Sequence, residues 1–152
     1  VGRATLHRHF KSRDDLVDTL AHAALDATDA ACADINYFGQ SASVSLRETI
    51  EALVPLGATY AFLAYQPISE AQDTPLGERL RAQSEQMRVL VEAAQNDGMF
   101  SKDIPLAWLV TSIDALIYAG WDAVRRGDIA PNDVARLTLR TLERGLGTLE
   151  TE

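Results

Sequence analysis

Apolar residues recur every three or four positions along almost the whole of this chain, a period that specifies helices and leaves no room for a sheet. From Arg13 to Ile35 one stripe runs Leu16, Val17, Leu20, Ala21, Ala24, Leu25, Thr28, Ala31, Cys32 and Ile35. Asp14, Asp15, Asp18, Asp26, Asp29 and Asp34 oppose it. The segment therefore reads as a long amphipathic helix, its first turn acidic as the helix dipole favours. Ser12 stands at the N-cap position, with Asp15 three residues on.

The later segments repeat the pattern. Ser45 with Glu48 reads as a capping box opening a helix whose stripe is Leu46, Ile50, Leu53, Gly57, Tyr60 and Ala64. From Leu56 to Tyr65 only Thr59 and the tyrosine hydroxyls are polar, which predicts a helix buried on all sides at the centre of the body. Pro55 should kink it and free the carbonyl of Glu51. Gln66 to Asp73 is a polar connector, and Thr74-Pro75 reads as an N-cap with proline at the first helical position. The next helix packs through Leu76, Leu80, Met87, Leu90, Val91 and Ala94 and ends at Asp97-Gly98. Another runs from Pro105 to Arg126, and a last one begins near Pro131. No segment alternates as a strand would. The predicted fold is all-α.

Charge is unevenly distributed. The total is −8, which argues against a general nucleic-acid binder. Residues 1–13 nevertheless carry four Lys or Arg and no acid, a net +4. The remainder carries ten basic and twenty-two acidic residues, a net −12. A basic tip on an acidic body is the distribution expected of a DNA reader with a separate regulatory domain. Val1 to Phe10 reads as a short helix with Leu6 and Phe10 on one face, followed by a turn and the helix from Ser12. A basic helix meeting the N-terminus of a second one offers phosphates both side-chain charge and free backbone N–H groups.

The run Val-Gly-Arg-Ala-Thr-Leu-His-Arg-His-Phe-Lys-Ser-Arg-Asp-Asp-Leu over residues 1–16 resembles the recognition helix and following turn of the tetracycline-repressor (TetR) family of bacterial transcription regulators. Thr5, Leu6, His9, Phe10, Ser12 and Leu16 match that family's pattern. Gly2 stands where Ser or Thr is usual, His7 replaces Tyr, and Arg13 replaces Lys. The resemblance implies that two further helices precede this point, and that residues 1–34 are the C-terminal part of a helix-turn-helix domain. Residues 35–152 would form a helical bundle for ligand binding and dimerisation. It also implies DNA contacts from Gly2, Arg3, Ala4, Thr5, His7, His9, Lys11 and Arg13. Of these, Arg3 and Ala4 are placed to reach base edges, with Arg3 suited to guanine. Thr5, His7, His9 and Arg13 would position phosphates. The stretch from Asp97 to Asp103 is similar to the Gly-containing turn that precedes the family's dimerising helix pair.

The last two helices carry more apolar surface than one core needs. On the helix from Pro105, Leu109, Ile113, Leu116, Ile117, Gly120 and Val124 face one way. Trp108, Ser112, Ala115, Ala119 and Ala123 form a second stripe, small enough for another helix to approach. Pairing with a second copy would give a four-helix homodimer interface.

Other chemistry is poorly supported. His7 and His9 are two apart and diverge on a helix, His22 has no ligand-spaced neighbour, and no H-E-x-x-H, phosphate-cradling glycine loop or nucleophile elbow occurs. No cofactor, metal or enzymatic activity is expected. Cys32, the single cysteine, reads as a small core residue, compatible with a reducing cytoplasm. No apolar run approaches the roughly 18 residues of a membrane span, and no signal segment opens the chain, so a cytoplasmic location is expected. Asp114, in a largely apolar helix, either pairs with an arginine across the dimer or faces a ligand. Tyr60, Phe62, Met87, Trp108, Asp114 and Tyr118 are the candidate ligand contacts, around a mostly apolar effector beside the kinked helix. The resulting expectation is a ligand-responsive repressor binding operator DNA as a homodimer. The alternative is a helical dimerisation module without DNA binding, which leaves the basic tip unexplained.

Overall fold

Ser12 sets where the first helix begins. Its hydroxyl accepts from the Asp15 amide at 3.0 Å, and the Asp15 carboxylate accepts from the Lys11 amide at 2.9 Å. Two amides of the helix start are thus satisfied reciprocally, in the manner of a capping box. The computed structural model describes residues 9–66, 68 and 73–147, and among them the chain is helical with no strand. Helix α1 spans Arg13–Cys32 and so stops three residues before Ile35, where the expected stripe ended.

Helix α2 spans Ala42–Leu53, and its N-cap is Ser41, not Ser45. The run from Ser41 to Ser45 offers three hydroxyls, and burial decides among them. Leu46 and Ile50 are fully buried together with Ser45, which requires the turn carrying Ser45 to be helical already. The Ser45 hydroxyl is satisfied inside the fold by the Gln40 side-chain amide at 3.2 Å.

The apolar segment after α2 departs most from expectation. It breaks into a 3-10 turn Val54–Leu56, a single α turn α3 at Gly57–Tyr60, and a 3-10 stretch Ala61–Tyr65. Pro55 lacks the N–H that α2 would need to continue, and the backbone tightens instead. Nor is the segment buried all round: only Val54 is in the core, and Tyr65 is 70% exposed. Burial on every side needs neighbours on every side. This segment has the helix Leu106–Arg126 along one flank and packs through Leu63 against the cluster of Ala21, Leu25 and Leu76, leaving Phe62, Ala64 and Tyr65 facing outward.

Helix α4, Pro75–Asn96, is capped by Thr74, whose hydroxyl accepts from the Gly77 amide at 3.1 Å. It ends at Gly98 in the left-handed region (φ 91°), with the Met99 amide donating back to the Ala94 carbonyl. Helix α5, Leu106–Arg126, stops the same way at Gly127 (φ 79°). A 3-10 turn, Pro131–Asp133, leads into α6, Val134–Gly145.

One core joins α2, α4, α5 and α6: Leu46, Ile50 and Val54 meet Val91 and Ala94, Leu109, Ile113 and Ile117, then Val134, Leu139 and Leu142. Phe100, fully buried from the turn before α5, lies within it. The Gln95 amide anchors that turn by donating to the carbonyls of Ser101 and Ile104 at 2.8 and 2.9 Å. A smaller cluster of Ala21, Leu25 and Leu76, backed by Leu63, Ile68 and Leu80, fastens α1 to this body. Arg79 of α4 adds polar ties, donating to Asp26 and Asp29 of α1 at 2.7 and 3.3 Å and facing His22 Nδ1 at 3.1 Å.

Candidate ligand groove and nucleic-acid interface

The head of α1 is where the expected DNA contacts can be placed. His9, Lys11 and Arg13 are exposed around the Ser12 cap. Gly2, Arg3, Ala4, Thr5 and His7 lie outside the described residues. Cations ahead of a capped helix N-terminus present positive charge where the helix dipole is also positive. Arg13 has a second engagement. Its guanidinium donates to Oε1 of Gln66 at 2.6 Å, and Gln66 Nε2 donates to the carbonyl of Phe62 at 3.3 Å.

Phe62 belongs to a groove of about 250 Å³ between the 3-10 stretch after α3 and the C-terminal half of α5. Ala61, Phe62, Ala64 and Tyr65 form one wall. Tyr118, Trp121, Asp122 and Arg125 form the other. Tyr118 and Trp121 meet edge to face, with centroids 5.1 Å apart and an interplanar angle of 85°. The Trp121 indole is fixed by donating to the Val54 carbonyl at 2.9 Å. Gly57 makes room for that ring: a Cβ there would lie 2.0 Å from Trp121 Cδ1.

The polar end of the groove is strongly paired. Asp122 accepts from Arg125 at 2.6 Å, from Arg126, and from the Tyr65 hydroxyl at 3.5 Å. The Arg125 hydrogen bond, with the charge of Arg126, holds the Asp122 carboxyl below its ordinary range. Burial, with the nearby Asp114 carboxylate, pushes the Tyr118 hydroxyl above its ordinary value, keeping it a neutral donor at pH 7. Aromatic walls with one neutralised polar end suit a flat, mostly apolar molecule rather than an anion or a metal. Among the described residues, no three His, Cys, Asp or Glu side chains are grouped to hold a metal ion.

Of the six ligand contacts expected, the structure brings Phe62 and Tyr118 together in this groove. Tyr60 is half-buried at the end of α3 but lines no part of it. Met87 packs against the main core from α4. Trp108 lies outside the groove, near the opposite end of α5, and is 60% exposed. Asp114 is exposed on α5 and bears on the groove through its charge on Tyr118. Tyr65, Trp121, Asp122 and Arg125 were not anticipated. For the three on α5 the signal was available in the spacing, since Tyr118, Trp121, Asp122 and Arg125 fall at i, i+3, i+4 and i+7 along one helix edge.

Comparison with known proteins places this architecture. The HTH-type transcriptional repressor LfrR of Mycolicibacterium smegmatis is 27% identical over 149 residues, covering 98% of this chain and 76% of its own length. The crystal structure of the TetR-like regulator LfrR from Mycobacterium smegmatis in complex with proflavine superposes with a TM-score of 0.72 at 26% identity, over 98% of this chain and 81% of that one. In sequence and in fold the chain is thus similar to a TetR-like transcriptional regulator. A second crystal structure of LfrR gives a TM-score of 0.60 at 25% identity, over 98% and 82% of the two chains. A Rhodococcus sp. RHA1 protein of unknown function shares the regulator's fold (TM-score 0.68, 18% identity, 97% and 80% coverage). No protein-family model matches the chain. No helix among its described residues is long and apolar enough to cross a membrane.

Proposed function

We propose that this regulator is a ligand-controlled repressor that binds operator DNA as a homodimer and responds to a mostly apolar, flat small molecule. The observation that carries it is the shared use of one short segment. Residues 61–65 form a wall of the aromatic groove, and Leu63 of the same segment packs in the cluster that fastens α1 to the body. A molecule wedged against Phe62 and Tyr65 therefore pushes on the support of the helix whose head is basic. Coupling of this kind is worth roughly 1–3 kcal/mol, enough to change DNA affinity by one to two decades. The binding of proflavine by LfrR supports the ligand class, since proflavine is itself planar and aromatic.

The dimer is assigned to α5 and α6. Trp108, Ala115 and Ala119 leave an exposed stripe of one large and two small side chains along α5. A helix of a second copy can approach such a stripe closely. DNA bound by two recognition helices is then a near-palindromic site. Site selection from random duplexes with the full-length protein tests the reading, followed by proflavine titration of the selected complex. Enrichment of an inverted repeat and its release or tightening by ligand is the expected result. No enrichment would leave a dimerisation module without DNA binding.

A further inference from the structure

We propose that Gln66 is a positioning residue for DNA binding: it holds Arg13 in place for the phosphate backbone and ties that arginine to the groove wall. The proposal rests on the reading that the basic head binds DNA, and adds a residue that the head itself does not contain.

Gln66 is half-buried at the end of the 3-10 stretch, and both ends of its side-chain amide are engaged. Oε1 accepts from Arg13 at 2.6 Å, across 53 residues of sequence, and Nε2 donates to the Phe62 carbonyl. The amide cannot be turned over, because that would set its NH₂ against the guanidinium and its oxygen against a carbonyl. A carboxylate at this position cannot donate to Phe62, and an ammonium cannot accept from Arg13.

The guanidinium has five N–H donors in a planar fork, and the bond to Gln66 fixes that plane while leaving donors for a phosphate. An exposed arginine otherwise loses much rotamer freedom when it binds. Held by Gln66, Arg13 has lost part of that freedom before DNA arrives. Because the other end of the amide hangs on Phe62, the position of Arg13 follows the groove wall.

A double-mutant cycle on the full-length protein tests this, with affinity for the selected operator measured across a salt series. Gln66→Met removes both hydrogen bonds at nearly constant volume, and Arg13→Gln removes the phosphate contact. Gln66→Met should weaken operator binding about 3–10-fold when Arg13 is present and have no further effect in Arg13→Gln protein. Arg13→Gln should reduce the salt slope by about 1.8, the loss of one phosphate contact from each protomer of the dimer. Gln66→Ala serves as a second variant, with circular dichroism to show that each protein is folded. Equal loss in both Arg13 backgrounds, or no loss in either, would overturn the proposal while leaving the regulator reading intact. If site selection yields no operator, both fall together.

Discussion

The indole of Trp121 rests on Gly57 so closely that a side chain at Gly57 would have to displace it, its Cβ falling 2.0 Å from Cδ1. Gly57 has ordinary helical dihedrals (φ −59°), so it is needed here for its missing side chain and not for its backbone freedom. Through this contact the groove wall on α5 is locked to the broken segment after α2. Gly57→Ala should therefore lower stability by about 1–3 kcal/mol, the usual cost of overpacking. Trp121→Phe should cost less. It removes a donor to Val54, but that carbonyl keeps the Gly57 amide, so the loss is about 1 kcal/mol. Urea unfolding of both variants checks the order. An alanine at 57 without effect would mean the indole is not held there.

A second close approach sets the spacing of the last two helices. A Cβ on Gly120 would lie 2.4 Å from Val134 Cγ1, and Val134 is buried in the main core. Gly120→Ala should destabilise by roughly 1–3 kcal/mol, and adding Val134→Ala should recover part of that loss by clearing the space. Thermal melts of the two single variants and the double variant give the coupling directly. Additive losses would place the clash elsewhere.

Ala119 lies on the exposed stripe of α5 assigned to the dimer. Ala119→Arg puts a long, charged side chain where a second helix must approach, and should yield monomers in sedimentation velocity with an unchanged helical spectrum. A dimer of the same stability would move the interface off this stripe.

Cys32 should behave as a slow thiol. Burial raises its pKa above the ordinary thiol value, with the Asp29 charge adding and a hydrogen bond involving Tyr37 partly opposing. The thiolate is the nucleophile, so maleimide labelling of the folded protein should be slower than that of a small thiol at pH 7.5. Its rate should climb with pH to a midpoint above the free-thiol range. In the folding equilibrium the raised pKa favours the native state below the unfolded thiol's pKa, and this contribution is lost as pH rises through the folded one. Labelling as fast as a free peptide would show an open, unburied side chain.

Helix identity, the caps at Ser12 and Thr74 and the glycine stops at Gly98 and Gly127 were all legible in the sequence. Each depends on residues within one or two turns of one another, and local hydrogen bonds and φ preferences settle such features. The resemblance to a DNA-binding regulator was legible for the same reason, being carried by a contiguous run. What surrounds each helix was not. The apolar stretch from Leu56 to Tyr65 implied burial, yet composition cannot say how many neighbours a segment will find, and here the fold covers only part of it. Ser41 displaced Ser45 as a cap because Leu46 and Ile50 had to enter a core shared with three other helices. The groove depended on tertiary structure most of all. Phe62 and Tyr118 are 56 positions apart in sequence, and Arg13 and Gln66 are 53 apart. Only the packing of α5 and α1 against one broken segment brings either pair together.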